Sequence, residues 1–388
     1  MKEEFLGYQR NDGTVGIRND VGVISTMDCV NHIAEKIVDY VNGTVLITDL
    51  FGRKQMGINY ELRLKTLTGL GKNANLGGVI VVGLHRSSAM DLAEIISTSG
   101  KPVDCIVFQE LGSTLICMEN GIRTAVKFVK QCSETGRRPF PLSKLKIGVE
   151  CGGSDFSSGI AGNPAIGNAS DRLMNAGGTV VLTETGEVMG AEHILAKRAV
   201  NPTVAEKLLK AIEEINRLAE IAGVPDIRKS NPSIDNIQGG ITTLAEKSLG
   251  SIQKGGTMPL QDVLDYGDPI PADSQGFYFM SAPTPACESM TALAAGGVQM
   301  IVFNTGVGNP AANPVAPTIK ITGNPSTSEK STDDLDLDVS DIISNGLPIE
   351  AAGERIFNEI LSVANGKMTV SEILGATQSA ISVIGASF

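Results

Sequence analysis

"LKIGVECGGSDFSSGIAGNPAIG", residues 145–167, is the stretch on which the fold turns. Its first six residues are an apolar run of strand length, and Glu150 to Gly167 then carries five glycines together with Cys151, Ser154, Asp155, Ser157 and Ser158. A segment of helical length follows at 164–176, and "GTVVLTE" at 178–184 is the next strand. Strand, glycine loop, helix and strand in that order make the β-α-β unit of a parallel sheet. The loop then lies at the carboxyl edge of its sheet, where open α/β folds bind their ligands. Glycines there let backbone N–H groups turn toward an anion, and the helix N-terminus adds partial positive charge. A small, negatively charged ligand is the expected occupant, with Gly152, Gly153, Ser154, Asp155 and Asn163 as contacts. A plain glycine-rich turn is the other reading of the same residues.

The same alternation runs upstream. Apolar runs at 21–26, 44–49, 78–83 and 104–109 alternate with segments of helical length at 28–41, 57–72, 87–99 and 113–131. The expected fold class is α/β, with two Rossmann-like, doubly wound parallel-sheet regions and helices on both faces. "SETGRRPFPLSK", 133–144, shifts composition and holds two prolines. It predicts a linker at 134–144 between a first α/β domain, 1–133, and a second, 145–388, that carries the glycine-rich loops. Further on, 188–223 reads as a charged helical pattern. "IVFNTGVGNPAANPVAPTIKITGNP", 301–325, reads as a strand opening into a long loop, a kind of segment that is usually functional.

Composition narrows the function classes. A chain of 388 residues with 42% hydrophobic content can bury two or three full cores. Lys and Arg number 32 against 43 Asp and Glu, for a net charge of -11, which argues against nucleic acid as a partner. The first residues, "MKEEFLGYQRNDG", hold no apolar signal segment, and no window approaches the roughly 20 apolar residues that cross a bilayer. The expectation is a cytoplasmic protein with no membrane partner. Six cysteines without a CxxC pair point to reduced thiols and exclude a zinc ribbon. The acidic run "TDDLDLD", 332–338, lacks the spacing and glycine of a calcium-binding loop.

"ETGEVMGAEHILAKRA", 184–199, places three carboxylates and a histidine after the next strand, again at a carboxyl edge. Glu184 and Glu187 can converge on one site, and a carboxylate in a dry loop can be tuned upward in pKa to serve as a general base. His193 competes for that role. With Glu192 it begins a helix, where a first-turn acid complementing the dipole is an equally good account. His32 and His85 fit structural roles as well as catalytic ones. Cys29 and Cys151 could hold a metal together with Asp155, although small buried thiols explain them equally.

"GYQRNDGTVGIRN" at 7–19, "CGGSDFSSGIAGNPAIGNASDRL" at 151–173 and "ETGEVMGAEHILAKRA" resemble the altronate/galactarate dehydratase family, over nearly the whole chain. The resemblance implies elimination of water from sugar acids, with iron, manganese or another divalent metal required, and a small additional N-terminal domain. This chain begins at the large region, so that domain is expected as a separate small subunit and the enzyme as a hetero-oligomer. Two departures stand out. Where the family carries cysteines after its second and third strands, this chain reads "FGRKQMG" and "GLHRSS", with Arg53 and Arg86 in their place. A guanidinium cannot ligate a metal, and it forks readily onto oxyanions.

The loop "NTGVGNPAANPVAPTIK", with Asn309 and Lys320 as substrate contacts, and "LDLDVS" are more similar to the carbon–sulfur lyase branch of the family, which cleaves 3-sulfolactate to pyruvate and sulfite. Both reactions take the proton from the carbon next to a carboxylate and expel a group from the adjacent carbon. Hydroxide leaves only with acid assistance, whereas sulfite departs as a stabilised anion whose charge must be neutralised. The expected function is therefore a lyase performing β-elimination on a small 2-hydroxy acid. A sugar-acid dehydratase and a non-catalytic metabolite-binding or scaffold subunit are the alternatives.

Overall fold

The computed structural model describes residues 4–224, 226–227 and 231–384. β1 (Glu4–Gln9) and β2 (Val15–Gly16) lead into four parallel strands, β3 (Asp20–Ser25), β4 (Thr44–Ile47), β5 (Leu76–Gly83) and β6 (Val103–Val107), ordered β4-β3-β5-β6. The order steps outward from β3 in both directions, as in a doubly wound sheet. Side-chain alternation explains why its strands read as continuous apolar runs. Val21, Val23, Ile80 and Val82 pack on one face against Ile33, Ile37 and Phe128, while Ile24, Val79 and Val81 pack on the other against Leu67, Leu92 and Ile96. Helices cover both faces, so neither set of side chains meets water.

β7 (Arg138–Pro141) falls within the stretch read as a linker and pairs antiparallel with β1, Phe5 opposite Phe140. Its two prolines are tolerated because β7 is an edge strand, in the order β2-β1-β7. Phe5, Val15 and Ile17 sit in one hydrophobic core with Leu142, Leu145 and Ile147, so the N-terminal stretch packs with the larger region. Arg18 closes that junction: it forms an ion pair with Glu372 at 2.6 Å and donates to the Lys367 carbonyl at 2.7 Å.

The larger region holds seven parallel strands, β8 (Lys146–Cys151), β9 (Thr179–Leu182), β10 (Leu260–Leu264), β11 (Gly276–Met280), β12 (Met300–Asn304), β13 (Thr318–Thr322) and β14 (Leu337–Asp338). Their order is β10-β11-β9-β8-β12-β13-β14, with Val302 opposite Val149 and Val149 opposite Leu182. From β8 the chain builds to one side and later resumes on the other at β12, which puts the switch point between those strands. The crevice beyond their carboxyl ends is the default ligand site of such a sheet. The segment 188–223 is two helices, Glu192–Lys197 and Pro202–Ile221. Asn201 caps the second through a 3.0 Å bond from Val204 N, with Pro202 as its first residue. The stretch 301–325 holds a second strand, β13, behind the loop 305–317.

The two parallel-sheet regions meet where the helix Ile58–Lys72 packs on the helix Ala286–Gly296. Asn73 and Asn75 lock the contact, donating to the carbonyls of Ala294 (2.8 Å) and Gln299 (2.7 Å). The stretch 378–384 crosses both carboxyl edges. Ala380 N bonds Thr291 Oγ1 at 3.0 Å on the larger sheet's side, and Ile384 N bonds Asn59 Oδ1 at 2.7 Å on the smaller's. Among the described residues no helix is long and apolar enough to cross a membrane. Gly69 sets the approach of the two helices, because a Cβ there would lie 2.3 Å from the Ala295 carbonyl oxygen, which is backbone and cannot rotate away. Gly69→Ala is expected to destabilise the protein by about 1–3 kcal/mol, the usual cost of overpacking a close contact. Denaturant titration of the two proteins reads this, and equal midpoints would refute it.

Candidate active site

A buried polar cluster lies at the carboxyl ends of β8 and β9, next to the switch point between β8 and β12. Cys151 ends β8, Glu184 and Glu187 follow β9, and Lys247, Ser251 and Lys254 come from the helix Leu244–Ser251 and the turn after it. Lys254 Nζ stands 2.7 Å from Cys151 Sγ, 3.0 Å from Ser251 Oγ, 3.6 Å from Glu187 Oε2 and 3.9 Å from Glu184 Oε2. Glu187 pairs with Lys247 at 3.0 Å through its other oxygen. Its Oε2 lies 2.9 Å from Cys151 Sγ and accepts from Ser251 Oγ at 3.0 Å. Lys254 is 0% exposed, so its charge must be balanced within the cluster. Glu184 adopts φ 71°, a left-handed conformation rare for a residue with a Cβ and concentrated at functional sites.

Environment separates the carboxylates. Burial pushes Glu187 up, but the ammonium groups of Lys247 and Lys254 outweigh it and hold the group well below the usual carboxylate range. Burial raises Glu184 well above that range, and Glu150 and Glu187 raise it further. Glu150, the penultimate residue of β8, is pushed by burial to about 8, with the Ser289 hydroxyl opposing from 2.5 Å. Glu150 Oε2 and Glu184 Oε2 are both buried without a hydrogen-bond partner, and the charge of Glu150 disfavours ionisation of Glu184. A proton held by this pair gives one oxygen a donor and the other an acceptor. Burial lowers Lys254, yet Cys151, Glu187 and Glu184 together raise it, so it stays an ammonium. Burial and then Glu187 push the Cys151 thiol up. The site thus sets an anion between two cations beside a proton-holding acid pair, the parts list of acid–base chemistry.

Part of the glycine-rich loop is spent on contacts within the protein. Gly152 N donates to the Asn304 carbonyl at 3.0 Å, and the Gly153 carbonyl accepts from Gly306 N (3.0 Å) and Val307 N (2.9 Å), pinning the loops after β8 and β12 together. Asp155 fills the anion position at the following helical turn with its own carboxylate, accepting from Ser157 Oγ (2.5 Å), Ser158 N (3.1 Å) and Asn324 Nδ2 (2.5 Å). Ser154 Oγ points at Cys151 Sγ from 3.4 Å. Asn163 accepts from Asn304 Nδ2 at 2.8 Å. Asn309 turns back on its own loop, accepting from Ala311 N at 2.9 Å. Lys320 is buried and donates to the Pro310 carbonyl at 3.0 Å.

The remaining candidates lie elsewhere. His193 is exposed on its helix, and His32 is exposed as well. His85 caps the helix Arg86–Ser97, accepting from Ser88 N at 3.3 Å. Arg86 pairs with Glu110 at 2.7 Å on the surface, and Arg53 is exposed in the loop after β4. Both arginines stand at the carboxyl edge of the smaller sheet, beside a cavity of about 150 Å³ lined by Gly52, His85 and Ser88. Cys29 is exposed and does not join Cys151. Lys247, Lys254 and Glu150 were not among the residues singled out in the sequence.

A cavity of about 250 Å³ reaches the cluster from outside, lined among others by Ser154, Asn163 and Lys247. A larger cavity, about 720 Å³, opens at the opposite, amino ends of the strands and is lined among others by Lys65, Lys72, Lys144 and Lys146. Lys146 there already donates to the carbonyls of Pro271 (2.8 Å) and Ile270 (3.3 Å), and no proton-holding carboxyl pair adjoins it. The smaller cavity, next to the perturbed carboxylates, is the better candidate.

Among the described residues, Cys151, Glu184 and Glu187 form the one group of three side chains able to hold a metal ion, with donor atoms within 4.8 Å of one another. A divalent ion bonded to them would stand about 2.0–2.3 Å from each donor. The Lys254 ammonium already occupies that space, so the residues as arranged do not fit the metal that the family resemblance implies.

An acid–base cluster at the carboxyl edge of a parallel α/β sheet has the arrangement of an enzyme active site. The sequence comparisons give the family. Residues 7–133 match the second domain of D-galactarate dehydratase/altronate hydrolase, and residues 142–387 match the C-terminal region of D-galactarate/altronate dehydratase. The chain belongs to this family of dehydratases and related lyases. It is 36% identical to the (2R)-sulfolactate sulfo-lyase subunit beta of Chromohalobacter salexigens, covering 96% of this chain and 95% of that one. It is 33% identical to altronate dehydratase of Bacillus subtilis, covering 95% of this chain and 75% of the relative, and 30% identical to galactarate dehydratase (L-threo-forming) of Escherichia coli, covering 94% and 73%.

The raised Glu150 pKa has a stability consequence. Its folded value of about 8 exceeds the unfolded value of 4.5, so the folded state retains a proton that the unfolded state releases. The stability this provides is complete below pH 4.5 and is lost as pH rises toward 8. Glu150→Gln cannot lose a proton. Relative to wild type, the variant is expected to gain on the order of 1–3 kcal/mol between pH 5 and 8. Unfolding midpoints at several pH values test this, and a wild-type-to-variant difference that stays constant with pH would refute it.

Proposed function

We propose that this chain is the large subunit of a carbon–sulfur lyase that converts 3-sulfolactate to pyruvate and sulfite. The observation that carries the reading is the end-to-end match to the sulfolactate sulfo-lyase beta subunit, at 36% identity over 96% of this chain and 95% of the relative. The dehydratases match over only about three quarters of their own length. The buried cluster supports the chemistry. Substrate enters the cavity beside Ser154, Asn163 and Lys247, where the Lys247 ammonium meets its carboxylate. A carboxylate of the Glu150, Glu184 and Glu187 set takes the α-proton, and Glu184 is the base in this scheme: only its ionised fraction reacts, and its raised pKa makes that fraction the stronger proton acceptor. The C–H electrons form the carbon–carbon double bond, and the C–S electrons leave with sulfite. The resulting enol of pyruvate ketonises. Lys247 and Lys254 stabilise the negative charge that grows on the substrate carboxylate.

Arg53 and Arg86 stand beside a separate cavity from the one at Lys247, so their proposed role as sulfonate contacts requires the smaller sheet's edge to move onto the bound substrate, with Arg86 leaving Glu110. Because the named relative is a beta subunit, a separate small subunit is proposed as partner, in a cytoplasmic hetero-oligomer. The alternative, a sugar-acid dehydratase, would release a keto acid and water.

The direct test incubates the chain, with and without a purified small subunit of the sulfo-lyase type, with 3-sulfolactate, altronate or galactarate. Sulfite and pyruvate in equal amounts, appearing only with the small subunit, are expected. Dehydration of a sugar acid without sulfite release would return the dehydratase reading to first place. Arg53→Ala is expected to lower kcat/KM for sulfite release by roughly 2–4 kcal/mol of transition-state stabilisation while leaving the thermal midpoint unchanged, with lysine rescuing only in part. Wild-type kinetics in Arg53→Ala would remove that residue from the sulfonate site.

A further inference from the structure

We propose that Lys254 is the built-in cation of this site, standing among three side chains that could otherwise hold a metal ion, and that removing its amine uncovers a site for one thiophilic divalent cation. Three observations carry it. First, Cys151 Sγ and the Glu184 and Glu187 carboxylates converge to within 4.8 Å, a mixed sulfur and oxygen set of the kind that borderline ions such as cobalt(II) and zinc accept. Second, Lys254 Nζ lies inside that set at 2.7, 3.9 and 3.6 Å from the three side chains, held from outside by Ser251 Oγ at 3.0 Å. Third, Glu184 Oε2 is 1% exposed at the residue level, has no hydrogen-bond partner and faces this position, so the set contains an acceptor that the ammonium does not fully satisfy.

Charge and space argue in the same direction. An ammonium supplies one positive charge and three donors. A divalent ion would supply two charges in the same few cubic ångströms, and the two cations would repel at contact distance in a buried medium. One excludes the other. Truncation at Lys254 leaves the Glu187 carboxylate, the Cys151 thiol and the Glu184 carboxyl facing a void the length of a lysine side chain, and a divalent ion that bonds all three displaces the protons the last two hold. Unpaired carboxylates in such a place are costly and recruit whatever cation fits.

Cobalt(II) is the probe, because a cobalt–thiolate bond gives a near-ultraviolet charge-transfer band that reports on Cys151 directly. The full chain is titrated anaerobically as wild type, Lys254→Ala and Lys254→Ala/Cys151→Ser, with metal content measured after dialysis. Lys254→Ala should retain about one cobalt per chain, show the band and bind at least tenfold more tightly than wild type. The double variant should lose the band. Lys254→Ala should also be less stable without metal and recover on adding cobalt, as mass action requires of a ligand that binds only the folded state. A wild-type chain that shows the band and loses it on Cys151→Ser would overturn the proposal. So would a Lys254→Ala chain that folds but binds no cobalt, or one that cobalt does not rescue. None of these readouts uses turnover, so the outcome stands apart from the substrate assignment.

Discussion

The ammonium of Lys254 is the point from which the site is organised. A lysine at 0% exposure is tolerated only if neighbouring groups return the hydration energy it has lost. Here Cys151, Ser251, Glu184 and Glu187 do so, and they come from three separate stretches of chain. Bringing Lys254 to the end of β8 requires the 244–256 segment to sink against the helix Asn163–Asn175. Ser170 Oγ donates to the Lys254 carbonyl at 2.8 Å, and Asn163 Nδ2 donates to the Gly250 carbonyl at 3.1 Å. At Gly167 a Cβ would lie 2.2 Å from the Gln253 carbonyl oxygen, so that crossing accepts no side chain. The glycines of the opening stretch are therefore used for close approach of protein to protein at least as much as for access to a ligand.

The same economy explains the polar residues around the loop. Asp155 sits where an anionic ligand would meet a helical turn, and three donors already converge on it. Asn304 joins two loops at once: its carbonyl accepts from Gly152 N, and its side chain donates to Asn163. These bonds make the two sides of the switch point one rigid wall. What remains for chemistry is the pocket in front of Lys247 and the carboxyl groups behind it. Rigid walls with few adjustable groups are what electrostatic preorganisation requires.

Much of this architecture was legible because it is local. The runs 21–26, 44–49, 78–83 and 145–150 are strands because helices bury both faces, and such strands need no polar alternation. Glu184 and Glu187 were legible because they follow an apolar strand at a predictable edge. The cues for the break at Asn201–Pro202 were also present, a capping side chain and a helix-starting proline, within the stretch read only as a charged helical pattern. β7 hid behind its prolines, which are admissible only on an edge that the sequence does not announce. Lys247 and Lys254 were not legible. In "LAEKSLGSIQKGG" they resemble the solvated face of a short helix, and Glu187, which pairs with Lys247, and Cys151, which meets Lys254, lie 60 and 103 residues away in sequence. Glu150 escaped notice for the opposite reason, as the end of an apolar strand whose burial is decided by Ser289 and Glu184 across the sheet.

A fixed ammonium and a bound metal ion answer the same electrostatic need with different consequences. A metal offers vacant coordination positions and Lewis acidity, and its occupancy depends on supply. An ammonium offers directed hydrogen bonds and is always present in the folded chain. In this cluster it stays charged while the acids around it share the protons. Lys254 reaches Glu187 and lies close to Glu184, and Glu184 is in turn coupled to Glu150, so every titrating group is within one or two contacts of another. Protonation of the cluster belongs to the set rather than to any member, and a proton accepted at one carboxylate can be accommodated by all. A site built this way is suited to taking a proton from a weak carbon acid and holding it while the anion that forms is stabilised by two lysines.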